Sequence, residues 1–166
     1  AKNLILIDML VVNKMNKNIE TGNILKKIFE EDWEKLFIID AINDEQITYG
    51  NFFTKIITFK EKLIEHGLKK GDFLCLILDN SVDLAALYLS SLLLGSVAIP
   101  IDPQKGDDEI KYILNQFKNK TIIYEQNTVL DFYSSIHLKE FKKHKLNLNG
   151  FDKLGIFDDI DFNKLF

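Results

Sequence analysis

The stretch LLLGSVAIPIDP, residues 92–103, limits the possible fold more than any other part of the sequence. A helix-like run of leucines ends at Gly95, and a short β-branched strand with the sequence VAIPI follows after one residue. Since glycine readily takes the left-handed conformation that ends a helix, the chain can enter a sheet within one or two residues. Such a connection is typical of a crossover helix that returns to a sheet of parallel strands.

The same alternation extends on both sides of this stretch. FLCLIL, residues 73–78, is apolar on both faces, and TIIYE, residues 121–125, is a further short strand. We expect the strands 73–78, 97–101 and 121–125 to be parallel neighbours. Helices are predicted near 49–65, 81–94 and 107–117. The alternation therefore predicts the α/β class, with a doubly wound, mainly parallel sheet that carries helices on both faces.

Upstream of this pattern, the sequence predicts an amphipathic helix over about 23–34 and a buried strand, LFIID, at 36–40. AINDEQITY, residues 41–49, has turn residues at its centre and predicts a hairpin-like edge. With the strand 36–40 counted first, the order of the elements is β-α-β-α-β-α-β. Residues 129–146 predict either a single helix or a strand followed by a helix.

The domain organisation is interpreted as one incomplete unit. Residues 1–14 look unlike the rest of the chain and are interpreted as a tag, a misjudged start or a loose leader, and residues 15–166 as a partial domain. The apolar segment 4–12 contains Asp8 and lacks a small-residue cleavage site, so it does not indicate a signal peptide. Serine, glycine and proline interrupt the apolar run 84–101, so it does not indicate a transmembrane helix. The sequence thus predicts no membrane association.

Charge and cysteine content narrow the functional classes. The formal net charge is −4 and the chain contains no arginine, which argues against nucleic acid as a partner. The absence of arginine also removes bidentate guanidinium recognition of phosphate or carboxylate. Cys75 is the only cysteine and lies in an apolar run, so we expect a core residue in a reducing cytoplasm rather than a nucleophile.

The other residue types that carry chemistry are scattered and favour structural roles. The three histidines are far apart and lack ligand spacing, and the aspartates of FDDIDF lack the oxygen pattern of a calcium site. The lysines of FKKHKL fit a solvated helix face, and the aspartate between two prolines fits a structural turn. No catalytic, cofactor-binding or metal-ligating residue is assigned. The candidates weighed are His66, His137, His144, Asp158, Asp159, Asp161, Lys142, Lys143, Lys145 and Asp102.

Four segments in order resemble the adenylation domains of peptide synthetases and their relatives, the adenylate-forming ligases that include acyl-CoA synthetases. Residues 92–103 resemble the family pattern LKAG-x-x-YVPIDP, and ITYGNF, residues 47–52, resembles its LTYxEL motif. Residues 63–95 follow its succession of helix end, Gly-x-x-x-Gly-Asp, strand, Asn-Ser turn and apolar helix. DDEIKYIL, residues 107–114, resembles another family segment, although Glu109 stands where arginine is common.

The resemblance implies that the intact enzyme uses ATP and Mg²⁺ to convert a carboxylic acid to an acyl-adenylate, then transfers the acyl group to a thiol of coenzyme A or a carrier protein. Such enzymes need a Ser/Thr/Gly-rich phosphate loop ending in lysine, an aspartate for the ribose and a lysine on a C-terminal domain. None of these is recognisable in this sequence, whose glycines are too widely spaced for a phosphate loop. They lie at positions 22, 50, 67, 71, 95, 106, 150 and 155.

The chain is therefore expected to be an inactive N-terminal scaffold of such a ligase, with the remainder of the enzyme as its partner and no cofactor of its own. Because helix 84–94 looks apolar on all sides, a homo-oligomer is also expected. The alternative is a free-standing, non-catalytic α/β interaction domain, or one half of a split ligase.

Overall fold

The computed structural model describes residues 27, 32–41, 44–126 and 133–145. The strands are β1 Leu36–Asp40, β2 Glu45–Thr48, β3 Phe73–Ile77, β4 Val97–Ile101, β5 Lys120–Tyr124 and β6 Ile136–His137. The helices, numbered within the described part, are α1 Tyr49–Glu65, α2 Val82–Leu94, α3 Asp107–Asn115 and α4 Leu138–Lys143.

Four strands form a parallel sheet in the order β4-β3-β5-β6. The central strand β3 pairs with β4 on one side and β5 on the other, so that Cys75 lies level with Ile99 and Ile122. The predicted parallel neighbours are therefore confirmed, as is the helical character of the segments between them. Residues 133–145 contain a two-residue strand and a short helix, so the second alternative for this region is correct.

The two faces of the sheet carry different helices. Leu74 and Leu76 belong to a core that α1 and α2 cover, whereas Cys75 and Ile77 belong to a second core that α3 covers. Every residue of β3 after Phe73 is buried, which explains why its sequence is apolar on both faces. The doubly wound α/β class is thus confirmed.

The first two strands correct the sequence interpretation. β1 and β2 pair antiparallel in a separate two-stranded sheet, and Ile39 is 62% exposed. The strand predicted at 36–40 forms with those bounds, and the hairpin was correct, but the predicted burial of this strand and its place as the first strand of the parallel sheet were wrong. The reason is the tight turn at Asp44, which has a φ of 51° and returns the chain at once without a crossover.

The helix predicted over 23–34 falls largely outside the described residues. Lys27 is helical, but Asp32–Lys35 form a turn in which the Lys35 amide donates to the Asp32 carbonyl at 2.8 Å. The prediction therefore ran too far toward the C-terminus. The interpretation of residues 1–14, and the candidates Asp158, Asp159 and Asp161, also lie outside the described residues.

Within the described part of the chain, β4 is an edge strand, and its proline is positioned accordingly. The Val97 amide donates to the Asp72 carbonyl at 2.9 Å, so it points toward β3. Since backbone direction alternates along a strand, Pro100 points to the opposite, outer side. Its missing N–H therefore costs no hydrogen bond within the sheet, and it removes one donor from the exposed edge.

The ends of α2 agree with the sequence prediction, whereas its surface does not. Ser81 Oγ accepts from the Leu84 amide at 3.1 Å, and Gly95 ends the helix with a φ of 75°. The helix is not apolar on all sides, because two buried positions are serines that form hydrogen bonds. Tyr88 and Leu92 are each 37% exposed. Formation of a homo-oligomer stays a prediction. The exposed apolar surface of α2 that would support it is smaller than the sequence suggested.

None of the helices in the described part of the chain has both the length and the apolar character needed to cross a membrane.

Candidate functional site

The topology places the candidate site at the carboxyl edge of the sheet. The loop after β3 leads to α2 on one face, whereas the loop after β4 leads to α3 on the other face. Crevices outside the carboxyl ends of parallel strands, at points where successive connections diverge in this way, are the usual ligand sites of α/β sheets. The residues around this edge decide what kind of ligand it suits.

Asp102, the candidate that follows β4, stabilises its own turn. Its Oδ1 accepts from the Gln104 amide at 2.8 Å, and its carbonyl accepts from the Lys105 amide at 3.2 Å. The side chain is exposed. This geometry is that of an Asx turn and supports the structural interpretation of the residue.

Both helix N-termini at this edge carry acidic side chains. Asp83 lies in the first turn of α2, and Asp107, Asp108 and Glu109 occupy the first turn of α3. Lys105 forms an ion pair with Glu109. Carboxylates stabilise a helix N-terminus but occupy the positive potential that would otherwise attract a phosphate. These two helix ends are therefore poorly suited to hold ATP.

The carboxylate of Asp83 contacts two helices besides its own. Its Oδ1 accepts from Lys55 Nζ of α1 at 2.6 Å, and its Oδ2 accepts from Lys142 Nζ of α4 at 2.7 Å. Burial raises the pKa of this carboxyl group, but the hydrogen bonds and charges of Lys142 and Lys55 outweigh burial and hold the pKa below its usual value. Asp83 is thus ionised at neutral pH and joins three helices.

A buried lysine makes a second link to α4. The Lys62 Nζ donates to the Phe141 carbonyl at 3.3 Å and to the Lys142 carbonyl at 2.6 Å, and the residue is 6% exposed. Burial lowers the pKa of its ammonium group. The two carbonyls belong to the last turn of α4, where helix acceptors commonly lack an intrahelical donor, so this cation adds donors there; the Phe141 carbonyl also accepts from the His144 amide at 3.3 Å.

The structure brings together two histidines that are far apart in sequence. The rings of His66 and His144 lie 4.8 Å apart, and His144 Nε2 lies 2.5 Å from Glu65 Oε2. Since a carboxylate only accepts, Nε2 carries the hydrogen. Burial and the neighbouring His144 lower the pKa of His66. His137 lies elsewhere, with Nδ1 accepting from the Lys139 amide at 3.1 Å as the cap of α4.

The remaining candidates divide between core and surface. Cys75 is fully buried, and burial raises the pKa of its thiol to about 11, so it remains protonated at neutral pH. Lys143 pairs with Glu140 on its own helix at 3.2 Å and Lys145 is exposed, as expected for a solvated face. Lys142 departs from that prediction because it pairs with Asp83.

A shallow cavity of about 440 Å³ lies beside α4 and the carboxyl end of the neighbouring strand. Its walls are Glu125, His137, Leu138, Lys139, Lys142 and Lys143. Two of these lysines are held by carboxylates, which leaves the cavity without a concentrated positive potential. Across the described ranges, no group of three or more His, Cys, Asp or Glu side chains could hold a metal ion.

The donor set therefore does not fit MgATP. A phosphate chain needs convergent backbone amides or cationic side chains, and its Mg²⁺ needs carboxylate or hydroxyl oxygens nearby. Here the helix N-termini carry carboxylates, Asp83 pairs with Lys55 and Lys142, and Lys62 donates to backbone carbonyls of α4. The role of these residues is to hold α1, α2 and α4 together.

Sequence reasoning missed these connections. Lys55 and Asp83 are 28 residues apart, Asp83 and Lys142 are 59 apart, and Lys62 and Lys142 are 80 apart. No local spacing signals such contacts, because they depend on how α1 packs against α2 and on how α4 lies across both.

Comparison with known proteins finds a matching family profile and similar sequences. The profile of the family described as AMP-binding enzyme matches residues 28–153. Malpibaldin synthetase of Mortierella alpina is 29% identical over 125 residues, which is 72% of this chain and 2% of that protein. The long-chain-fatty-acid–CoA ligase FadD13 of Mycobacterium tuberculosis is 29% identical over 86 residues, 52% of this chain and 17% of the ligase. The chain thus spans a small part of each.

Solved structures resemble the fold at lower sequence identity. The Mycobacterium tuberculosis fatty acyl CoA synthetase superposes with a TM-score of 0.68 at 22% identity, over 74% of this chain and 27% of that one. The o-succinylbenzoate CoA synthetase of Bacillus subtilis, in complex with its acyl-adenylate intermediate, superposes with a TM-score of 0.66 at 19% identity, over 74% of this chain and 33% of that one.

Proposed function

The chain belongs to the AMP-binding enzyme family, and from this premise we propose that it is the N-terminal scaffold of an ATP-dependent carboxylic acid ligase that forms an acyl-adenylate. The observation that carries the proposal is the family match over residues 28–153, which covers the elements from β1 to α4. The share of the solved relatives that this chain covers, 27% and 33% in two cases, supports a scaffold portion of a larger enzyme.

In this proposal the described residues position the site and do not handle the phosphates. The parallel sheet provides a rigid base, and the loops after β3 and β4 form one wall of the crevice at its carboxyl edge. The ion pairs of Asp83 fix the helices that surround this edge. ATP and Mg²⁺ are then held by residues that lie beyond this chain in the intact enzyme.

The relatives suggest the substrate class. One is named as a long-chain-fatty-acid–CoA ligase, another as a nonribosomal peptide synthetase and another as a surfactin synthase subunit. We propose that the intact enzyme activates a carboxylic acid and passes the acyl group to the thiol of coenzyme A or a carrier protein. The remainder of the ligase is the principal partner. A cytoplasmic location belongs to the same proposal, and the protonated, buried thiol of Cys75 is consistent with it.

The proposal predicts that the chain alone does not catalyse ATP–pyrophosphate exchange. Loss of a single preorganised donor to a developing oxyanion costs about 10²–10³ in rate, and here the whole phosphate loop is missing from the sequence. We expect exchange at background with panels of fatty acids and amino acids.

Purified FadD13 with a long-chain fatty acid is the positive control for that assay. Calorimetric titration with MgATP is the second readout, and we expect no saturable heat. Exchange above background with any acid, or tight binding of MgATP, would contradict the division of roles proposed for this chain.

A further inference from the structure

We propose that residues 136–145, here called the strap, open and close as a unit on a folded core, and that a cluster of charges holds them closed. The strap comprises β6, α4 and the next two residues, His144 and Lys145. It lies at one edge of the described sheet, beside the cavity next to α4. This inference concerns the described residues themselves and does not depend on the proposed function.

The strap has little secondary structure to hold it in place. β6 pairs with β5 through only two residues, Ile136 and His137. α4 is six residues long, well below the length at which a helix is stable by itself. Segments with few backbone hydrogen bonds to the core open locally at lower free energy than the whole domain unfolds.

Two buried apolar side chains and the partly buried Ile136 anchor the strap to the core. Phe141 is fully buried and its ring meets that of Phe59 at 5.4 Å between centroids, and Leu138 is 4% exposed. By contrast, β3 alone contributes four buried side chains between two helical layers. The apolar attachment of the strap is therefore small compared with that of the central sheet.

Charged groups make the polar contacts between α4 and the helices beneath it, and we call these contacts the clasp. Lys62 reaches the carbonyls at the end of α4, Asp83 pairs with Lys142, and the ring of His144, the residue after α4, forms a hydrogen bond with Glu65. The three α1 and α2 side chains approach from different positions, so the clasp holds the C-terminal half of α4 from two helices.

Part of the clasp is open to solvent, so dissolved ions can weaken it. The side chains of Lys142 and His144 are 48% and 38% exposed, whereas that of Asp83 is 13% exposed. Exposed ion pairs weaken as salt rises, and buried apolar contacts do not. Opening of the strap should therefore depend on salt, whereas opening of β3 should not.

Hydrogen–deuterium exchange of the full chain, followed residue by residue, tests the proposal. Raising NaCl from about 0.05 M to about 0.5 M shortens the Debye length about threefold. We expect the amides of residues 142–144 to exchange about fivefold faster at the higher salt, the change that loss of roughly 1 kcal/mol of ion-pair attraction produces. Amides of β3 should keep their rates, and at both salt concentrations should exchange more slowly than the strap.

Two neighbouring lysines provide matched variants. Lys142→Gln removes the pair with Asp83 and should accelerate strap exchange about fivefold, while reducing its response to salt. Lys143→Gln disrupts only a pair with Glu140 inside α4, so its strap rates should stay within about twofold of the parent.

Equal strap and β3 protection with no effect of salt would overturn the proposal, as would equal exchange in the two variants. If Lys142→Gln does not fold, the salt comparison on the parent chain decides the question alone.

Discussion

Replacing Phe52 with alanine is expected to lower the free energy of unfolding by about 3–5 kcal/mol, the usual cost of truncating a fully buried phenylalanine. Phe52 is 0% exposed and lies on α1, with its ring centroid 5.2 Å from that of Phe37 in β1. The substitution leaves a cavity where the hairpin packs against α1. Because α1 also covers the sheet, the loss should affect the whole domain and not the hairpin alone.

Urea denaturation measures this effect, with Tyr112→Ala as the matched aromatic control. Tyr112 is 68% exposed on α3, so its truncation should change stability by less than about 0.5 kcal/mol. If the two variants lost similar amounts of stability, the contact between the hairpin and α1 would not be part of the core.

Gly50→Ala should destabilise the chain by about 1–3 kcal/mol, although alanine is normally the better residue in a helix. A Cβ at position 50 would lie 2.3 Å from Cε2 and 2.4 Å from Nε1 of Trp33, and the Gly50 amide donates to the Trp33 carbonyl at 2.9 Å. The indole must therefore move away from its edge contact with Phe53. The steric cost exceeds the gain of about 1 kcal/mol in helix propensity.

The chain contains one tryptophan, so its fluorescence reports the displacement directly. The emission of Gly50→Ala should shift to longer wavelength as the indole gains water. Gly106→Ala is the control, because a Cβ there meets nothing within 4 Å, and it should cost less than about 1 kcal/mol. A Gly50→Ala variant that is more stable than the parent, with unchanged emission, would show that Trp33 does not lie against α1.

The parallel sheet was predictable because its signals are local. The unbroken apolar run of β3 requires cover on both faces, and Gly95 with a φ of 75° separates α2 from β4 as the sequence indicated. The apolar run at 36–40 misled, because periodicity alone does not say whether a strand is buried or half-exposed. The turn residues around Asp44 indicated a hairpin, and that signal describes this strand better than its apolar content does.

The contacts at the carboxyl edge could not be predicted in the same way. Asp83 lies in the first turn of α2, and its lysine partners come from α1 and α4. The approach of His66 to His144 depends on where the last turn of α4 comes to rest. Charged side chains that serve long-range contacts look in sequence like any solvated face.

Sequencing the transcript through the codon for Phe166 tests the central claim most directly. If the chain is the N-terminal scaffold of an adenylate-forming ligase, the reading frame should continue, and a Ser/Thr/Gly-rich stretch ending in lysine should come next, since no such motif is recognisable in this sequence. A stop codon at this position, or an open frame whose product contains no such loop, would contradict the claim and favour a separate, non-catalytic domain.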